Sequence, residues 1–195
     1  MSDRGKTEVV DGRRLRSERS RRAIIDAMVT LQEEGILVPT AQQVAERSGI
    51  NIRSLFRHFE DMEALFEAAD VYLRDDYEAP FQGGDRGGTL DERIEHAVER
   101  HGAAFEKVGN MTLSVQAQMW RYEALRKSHA RSQRRLRKDL DDWLPELRDI
   151  PAWRREAIDA IASFDMWHRL RARQGQSKKA AIEIVANLLK EQLID

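Results

Sequence analysis

The chain has 195 residues, 41% of them hydrophobic, and a formal net charge of −1 at pH 7. That length allows one domain or two small ones, and the apolar share is enough for a core, which excludes wholesale disorder. No stretch approaches the ~20 apolar residues of a membrane helix. The first residues, MSDRGKTEVVDGRR, lack the apolar core of a secretory signal, and without Cys there are no disulfides, thiolate metal sites or Cys nucleophiles. A cytoplasmic protein with no cofactor, no metal and no membrane contact is the expectation.

Charge is spread unevenly. Between Arg13 and Arg22 there are six Arg and one acid, Glu18, whereas Glu60–Asn110 holds 14 acids against five bases. A basic head before an acidic middle points to local contact with an anionic partner. A basic arm over 1–16 is expected to be flexible. Its Arg14 and Arg16 either touch a nucleic-acid backbone or minor groove, or belong to a solubilising tail.

Helical spacing runs from end to end, and only four Pro interrupt it. Ile24, Ala27, Met28 and Leu31 predict a first helix over about 17–34, stopped by Gly35. Thr40-Ala41-Gln42-Gln43 fits a capping box and opens a second helix that ends at Gly49. A third helix is expected over about 52–59. Asp61 caps a fourth, which runs to about residue 76. FQGGDRGG, residues 81–88, reads as a flexible break. Thr89-Leu90-Asp91-Glu92 is a second capping box, opening a helix to about Val108. Further helices are expected at about 112–127, 129–144 and 151–174, with Ser177 capping the last. The fold class is therefore all-α, with about nine helices. The expected domains are a unit over 17–62 and a larger helical unit over 63–195.

Residues 40–59 place two short helices around Gly49-Ile50-Asn51, a tight turn that suits a helix-turn-helix. Arg53, Ser54, Arg57 and His58 project from the outer side of the second, as a helix entering a major groove requires. Thr40-Ala41-Gln42-Gln43-Val44-Ala45, Gly49-Ile50, Ser54-Leu55-Phe56-Arg57-His58-Phe59 and Glu63-Ala64-Leu65-Phe66 together resemble the DNA-binding domain of tetracycline-repressor-type (TetR) regulators. The segment Phe164–Leu170 with Gly175-Gln176-Ser177 is similar to the last two helices of many members.

The resemblance implies a homodimer on a palindromic double-stranded operator and, in its simplest form, a repressor released by a small molecule. It places Thr40 and His58 on phosphate, and Asn51 and Ser54 on phosphate or a base edge. Arg53 is the candidate for bidentate readout of guanine. Phe56 either touches a thymine methyl or anchors the helix corner. Two residues depart from the family pattern: Phe56 stands where Tyr is usual, and Met62 where Lys is usual. Both remove a polar contact to phosphate.

Aromatic and Met side chains gather in the middle helices: Phe105, Met111, Met119, Trp120, Trp143, Phe164 and Trp167. They form either an apolar effector pocket between helices or plain core. The helices near 151–174 and 178–193 are apolar over broad arcs. Ile161, Phe164, Ile184, Val185 and Leu188 are the expected dimer contacts, pairing into a four-helix bundle. Seven bases and no acid lie between Arg126 and Lys138; they are a solvated face or a second acidic-partner surface. No enzyme is expected, because no G-x-S-x-G or HExxH occurs and GGDRGG lacks the context of a phosphate loop. The alternative of a different kind is a helical adaptor that binds a protein partner without reading DNA.

Overall fold

The computed structural model describes the backbone of residues 4–193 and the side chains of residues 12–193. Among these residues there are nine α-helices and no strand. They are α1 (Arg4–Glu33), α2 (Ala41–Ser48), α3 (Ile52–His58), α4 (Met62–Glu78), α5 (Leu90–Gln118), α6 (Glu123–Trp143), α7 (Ala152–Ile161), α8 (Phe164–His168) and α9 (Lys178–Leu193). Among the described residues, no helix is long and apolar enough to cross a membrane.

The chain folds as two compact units. One comprises residues 1–74 and 110–129; the other comprises 75–109 and 130–195. None of the three boundaries coincides with the expected break between 17–62 and 63–195. The reason lies in α5. Gly109-Asn110 does not end the helix, and a helical Gly costs only ~1 kcal/mol relative to Ala. The Asn110 side chain donates to the Glu33 carbonyl at 2.8 Å. The second half of α5 is therefore held by the first unit, and the interruption falls later, at residues 119–122.

Three other expectations are corrected. The segment expected as a flexible arm, 1–16, is helical from Arg4 onward and continuous with the rest of α1. Arg14 pairs with Glu18 one turn on, at 3.1 Å. Residues 81–88 are a structured loop: Phe81 is buried, and Arg86 pairs with Asp139 at 2.7 Å and lies over the Trp143 ring. The single helix expected over 151–174 breaks at Ser163. That hydroxyl accepts from the Met166 N–H and donates to the Ala160 carbonyl, so it caps α8 and closes α7. A π-helical turn, residues 169–173, follows α8 before Gly175.

The core of the first unit is mainly aliphatic, with Ile24, Met28, Leu31, Val44, Leu55 and Leu65 buried beside Phe59 and Phe66. Beneath it lies a buried polar network. Gln32 donates to Ser114 Oγ at 2.6 Å, and Ser114 donates to the Leu37 carbonyl at 2.7 Å, which also accepts from Gln118 at 3.0 Å. The core of the second unit is aromatic. Phe105 meets Phe81 and Phe164 edge to face, with ring centroids 5.5 and 5.7 Å apart. The Trp167 ring lies against Gly102, where a Cβ would come within 2.4 Å of it. Only Gly leaves room for it.

Candidate nucleic-acid interface

The helix-turn-helix is set by short-range chemistry. The Thr40 hydroxyl accepts from the Gln43 N–H, and the Gln43 side chain accepts from the Thr40 N–H at 2.9 Å, completing the capping box of α2. The N–H groups of Ala41 and Gln42 in the first turn have no intrahelical partner. Gly49 ends α2 at φ 67, in the left-handed region. Two residues later the Asn51 side chain accepts from the Ser54 N–H at 2.8 Å and starts α3. Val44, Ala45, Leu55 and Phe59 are buried at the inner angle.

The outer face of α3 is thereby fixed. Arg53, Phe56 and Arg57 are exposed, Phe56 at 42%; Ser54 and His58 are half-buried. Arg53, Phe56 and Arg57 recur at three- and four-residue intervals, so these three share one side of the helix. Phe56 is not a buried anchor. Arg57 reaches Ser54 Oγ at 3.3 Å, while Arg53 is exposed and projects from the same side. Burial, then the charges of Arg57 and Arg21, push the His58 imidazole below its ordinary pKa.

The basic run of α1 divides by role. Arg13, Arg14, Arg16 and Arg19 are exposed. Arg21 instead donates to the His58 carbonyl at the end of α3 and lies over the Phe59 ring, 4.3 Å from its centroid. It is an anchor for α3, not an outward cation. Arg22 lies over Tyr72. Sequence reasoning missed this split because the partners lie 37 residues or more along the chain. It also missed Arg47, which grips both oxygens of Glu34 at 2.7 Å and holds that carboxyl below its usual pKa range.

The residues of the expected effector cluster are divided between the two units. Phe105, Trp143, Phe164 and Trp167 are buried in the second unit. Met111, Met119 and Trp120 belong to the first, because α5 runs on past Gly109. Met119 packs on the aliphatic core there, and Trp120 is 77% exposed. The expected dimer set divides by burial. Phe164 and Val185 are each only 4% exposed and fill the second unit's own core, whereas Ile161, Ile184 and Leu188 are half-buried. The break at Ser163 turns Phe164 inward. In the run 126–138, Arg135 pairs with Glu78 and Arg137 with Glu156 and Asp159.

An exposed, arginine-bearing helix, held at a fixed angle behind a capped partner, defines a helix-turn-helix DNA-binding protein. Residues 24–69 of the chain match the model of the bacterial regulatory proteins of the tetR family. The protein is a DNA-binding transcriptional regulator. Two solved structures share the fold. A transcriptional regulator from Rhodococcus sp. Rha1 is 16% identical, with a TM-score of 0.64 over 91% of this chain and 95% of that one. A TetR-like transcriptional regulator from Rhodococcus sp. RHA1 is 18% identical, with a TM-score of 0.58 over 89% and 95%. At these identities the likeness is one of fold. Among curated proteins, none matches the chain.

Proposed function

We propose that the protein is a cytoplasmic repressor that binds a palindromic operator as a homodimer and leaves it when a small molecule occupies the second unit. The observation that carries this reading is the outer face of α3, where Arg53, Phe56 and Arg57 stand exposed on a helix whose start, end and tilt are all fixed. Arg53 pairs with guanine O6 and N7; Phe56 meets a thymine methyl. Thr40, Asn51, Ser54 and His58 face phosphate, and the exposed Arg14 and Arg16 add backbone contacts. Half-buried Ile161, Ile184 and Leu188 support pairing with a second copy, which places two α3 helices on one twofold axis.

Selection of bound duplexes from a random DNA pool, at near-physiological salt, tests this. A recovered palindrome is expected, with a half-site spacing near one helical turn, ~34–36 Å. Failure to enrich any sequence overturns the reading. Removing residues 1–16 is expected to flatten the log–log salt slope by ~0.9 for each phosphate that the segment neutralises. An unchanged slope removes Arg14 and Arg16 from the interface.

A further inference from the structure

We infer that the effector of this regulator is a small amphipathic anion, a carboxylate on an apolar body, seated in a cavity of the second unit with its charge on Arg134. The inference rests on the reading of the second unit as the effector unit and names the ligand's chemistry.

The cavity has a volume of about 270 Å³ and opens between α6 and the α7–α8 break. That is near the small end of small-molecule sites, ~300–1,000 Å³. Leu136, Leu140 and Ala162 supply its apolar wall. His101, Leu140, Ala162 and Ser163 also border a deeper slot of about 10 Å³, filled on its far side by Phe105 and Trp167. The slot is too tight for a ligand, so an apolar body lies in the outer cavity.

The charges around that cavity decide the rest. His101 is buried and bonded to Asp139 at 2.8 Å. Arg137 is held by Glu156 at 2.8 Å and by Asp159. Asp159 is also held by Arg155, at 2.7 Å, so this carboxylate meets two guanidinium groups and its repulsion of an anion is offset. Arg134 is exposed to the cavity, and among the described residues it has no ion-pair or hydrogen-bond partner. In a wall where the other charges are satisfied internally, the guanidinium left over is matched by an external carboxylate, which it grips with two parallel N–H bonds. A cationic ligand would face Arg134 and Arg137 with no unpaired acid to receive it.

Titration calorimetry on the full chain tests the proposal, with benzoate, phenylacetate and octanoate set against benzamide, phenylacetamide and octanamide. At least one acid is expected to bind at least tenfold more tightly than its amide. Arg134→Gln should remove that preference, Arg134→Lys should keep part of it, and both variants should retain the wild-type affinity for a selected duplex. Amides binding as well as acids, no binding by any acid, or binding indifferent to Arg134→Gln overturns it. The two readings fail separately. Acid binding without duplex binding sinks the regulator and leaves the site; duplex binding without acid binding sinks the site alone.

Discussion

The two units use the same abundant residue in opposite ways. In the second unit several arginines are paired with acids of the same unit, Arg93 with Glu146, Arg135 with Glu78, Arg155 with Asp141 and Asp159, and Arg171 with Glu106, while Arg134 stays exposed. In the first unit Arg21 and Arg47 are used internally, but Arg13, Arg16, Arg19 and Arg53 are exposed and, among the described residues, have no acid paired with them. A paired arginine has its charge answered by its own fold. An unpaired one on a rigid helix is available to an external anion, and its value appears only on binding. The difference also separates two kinds of core. One is mainly aliphatic around short capped helices; the other is aromatic, with charged groups bridging distant helices.

That contrast predicts which substitutions act on stability and which on DNA. The largest effect is expected from Arg155→Ala. It strips two aspartates of a buried partner and should cost about 3 kcal/mol, the low end for breaking a buried pair because both acids are partly exposed. Denaturant unfolding measures it, and a change under about 1 kcal/mol, the ordinary size for a surface pair, would break the contrast from the second unit's side. Arg53→Ala should leave unfolding unchanged while costing ~1–3 kcal/mol of operator affinity and relaxing specificity at one base position. Equal weakening on all sequences would move Arg53 from base to phosphate.

Smaller effects sharpen the picture of the turn and of His58. Gly49→Ala forces a side chain into the left-handed region and should cost ~1–2 kcal/mol of stability. A neutral result in thermal unfolding would show that the turn relaxes. The smallest effect concerns pH. Burial and two neighbouring guanidinium groups hold His58 below the usual imidazole pKa, so the free protein keeps it neutral at pH 7. A phosphate beside it favours the cation and raises that pKa, so binding takes up a proton. Operator affinity should rise severalfold as pH falls from about 7.5 to about 6, across the ordinary imidazole range, and His58→Gln should abolish the rise. The same depressed pKa costs the free fold stability in that direction, since the unfolded chain accepts the proton first. A pH profile identical in wild type and variant would take His58 off the phosphate.

The parts of this molecule legible in sequence are those written over three or four residues. The Thr40–Gln43 box, the Gly49 turn, the Asp61 cap, the Thr89–Glu92 box and the Ser177 cap all form as the sequence predicts. Each closes a hydrogen bond within its own helix turn, so no distant residue overrides it. The candidate DNA face was legible for the same reason, since α3 is placed by its own neighbours. The effector and dimer sets were not. Phe105 and Met111 lie less than two turns apart on one helix, yet α5 carries them into different units.

The sequence by itself determined the helical class, the helix-turn-helix with its capped ends, and an amino-terminal excess of positive charge. Tertiary structure decided where the long helices end, which arginines face outward and which aromatic residues are core. Arg21 is an anchor only because the end of α3 arrives beside it, and the second half of α5 belongs to the first unit because Asn110 reaches the Glu33 carbonyl. Caps and turns are local hydrogen bonds that a short peptide already specifies. Burial and charge pairing are properties of groups brought together across the chain, and no window of sequence contains both partners.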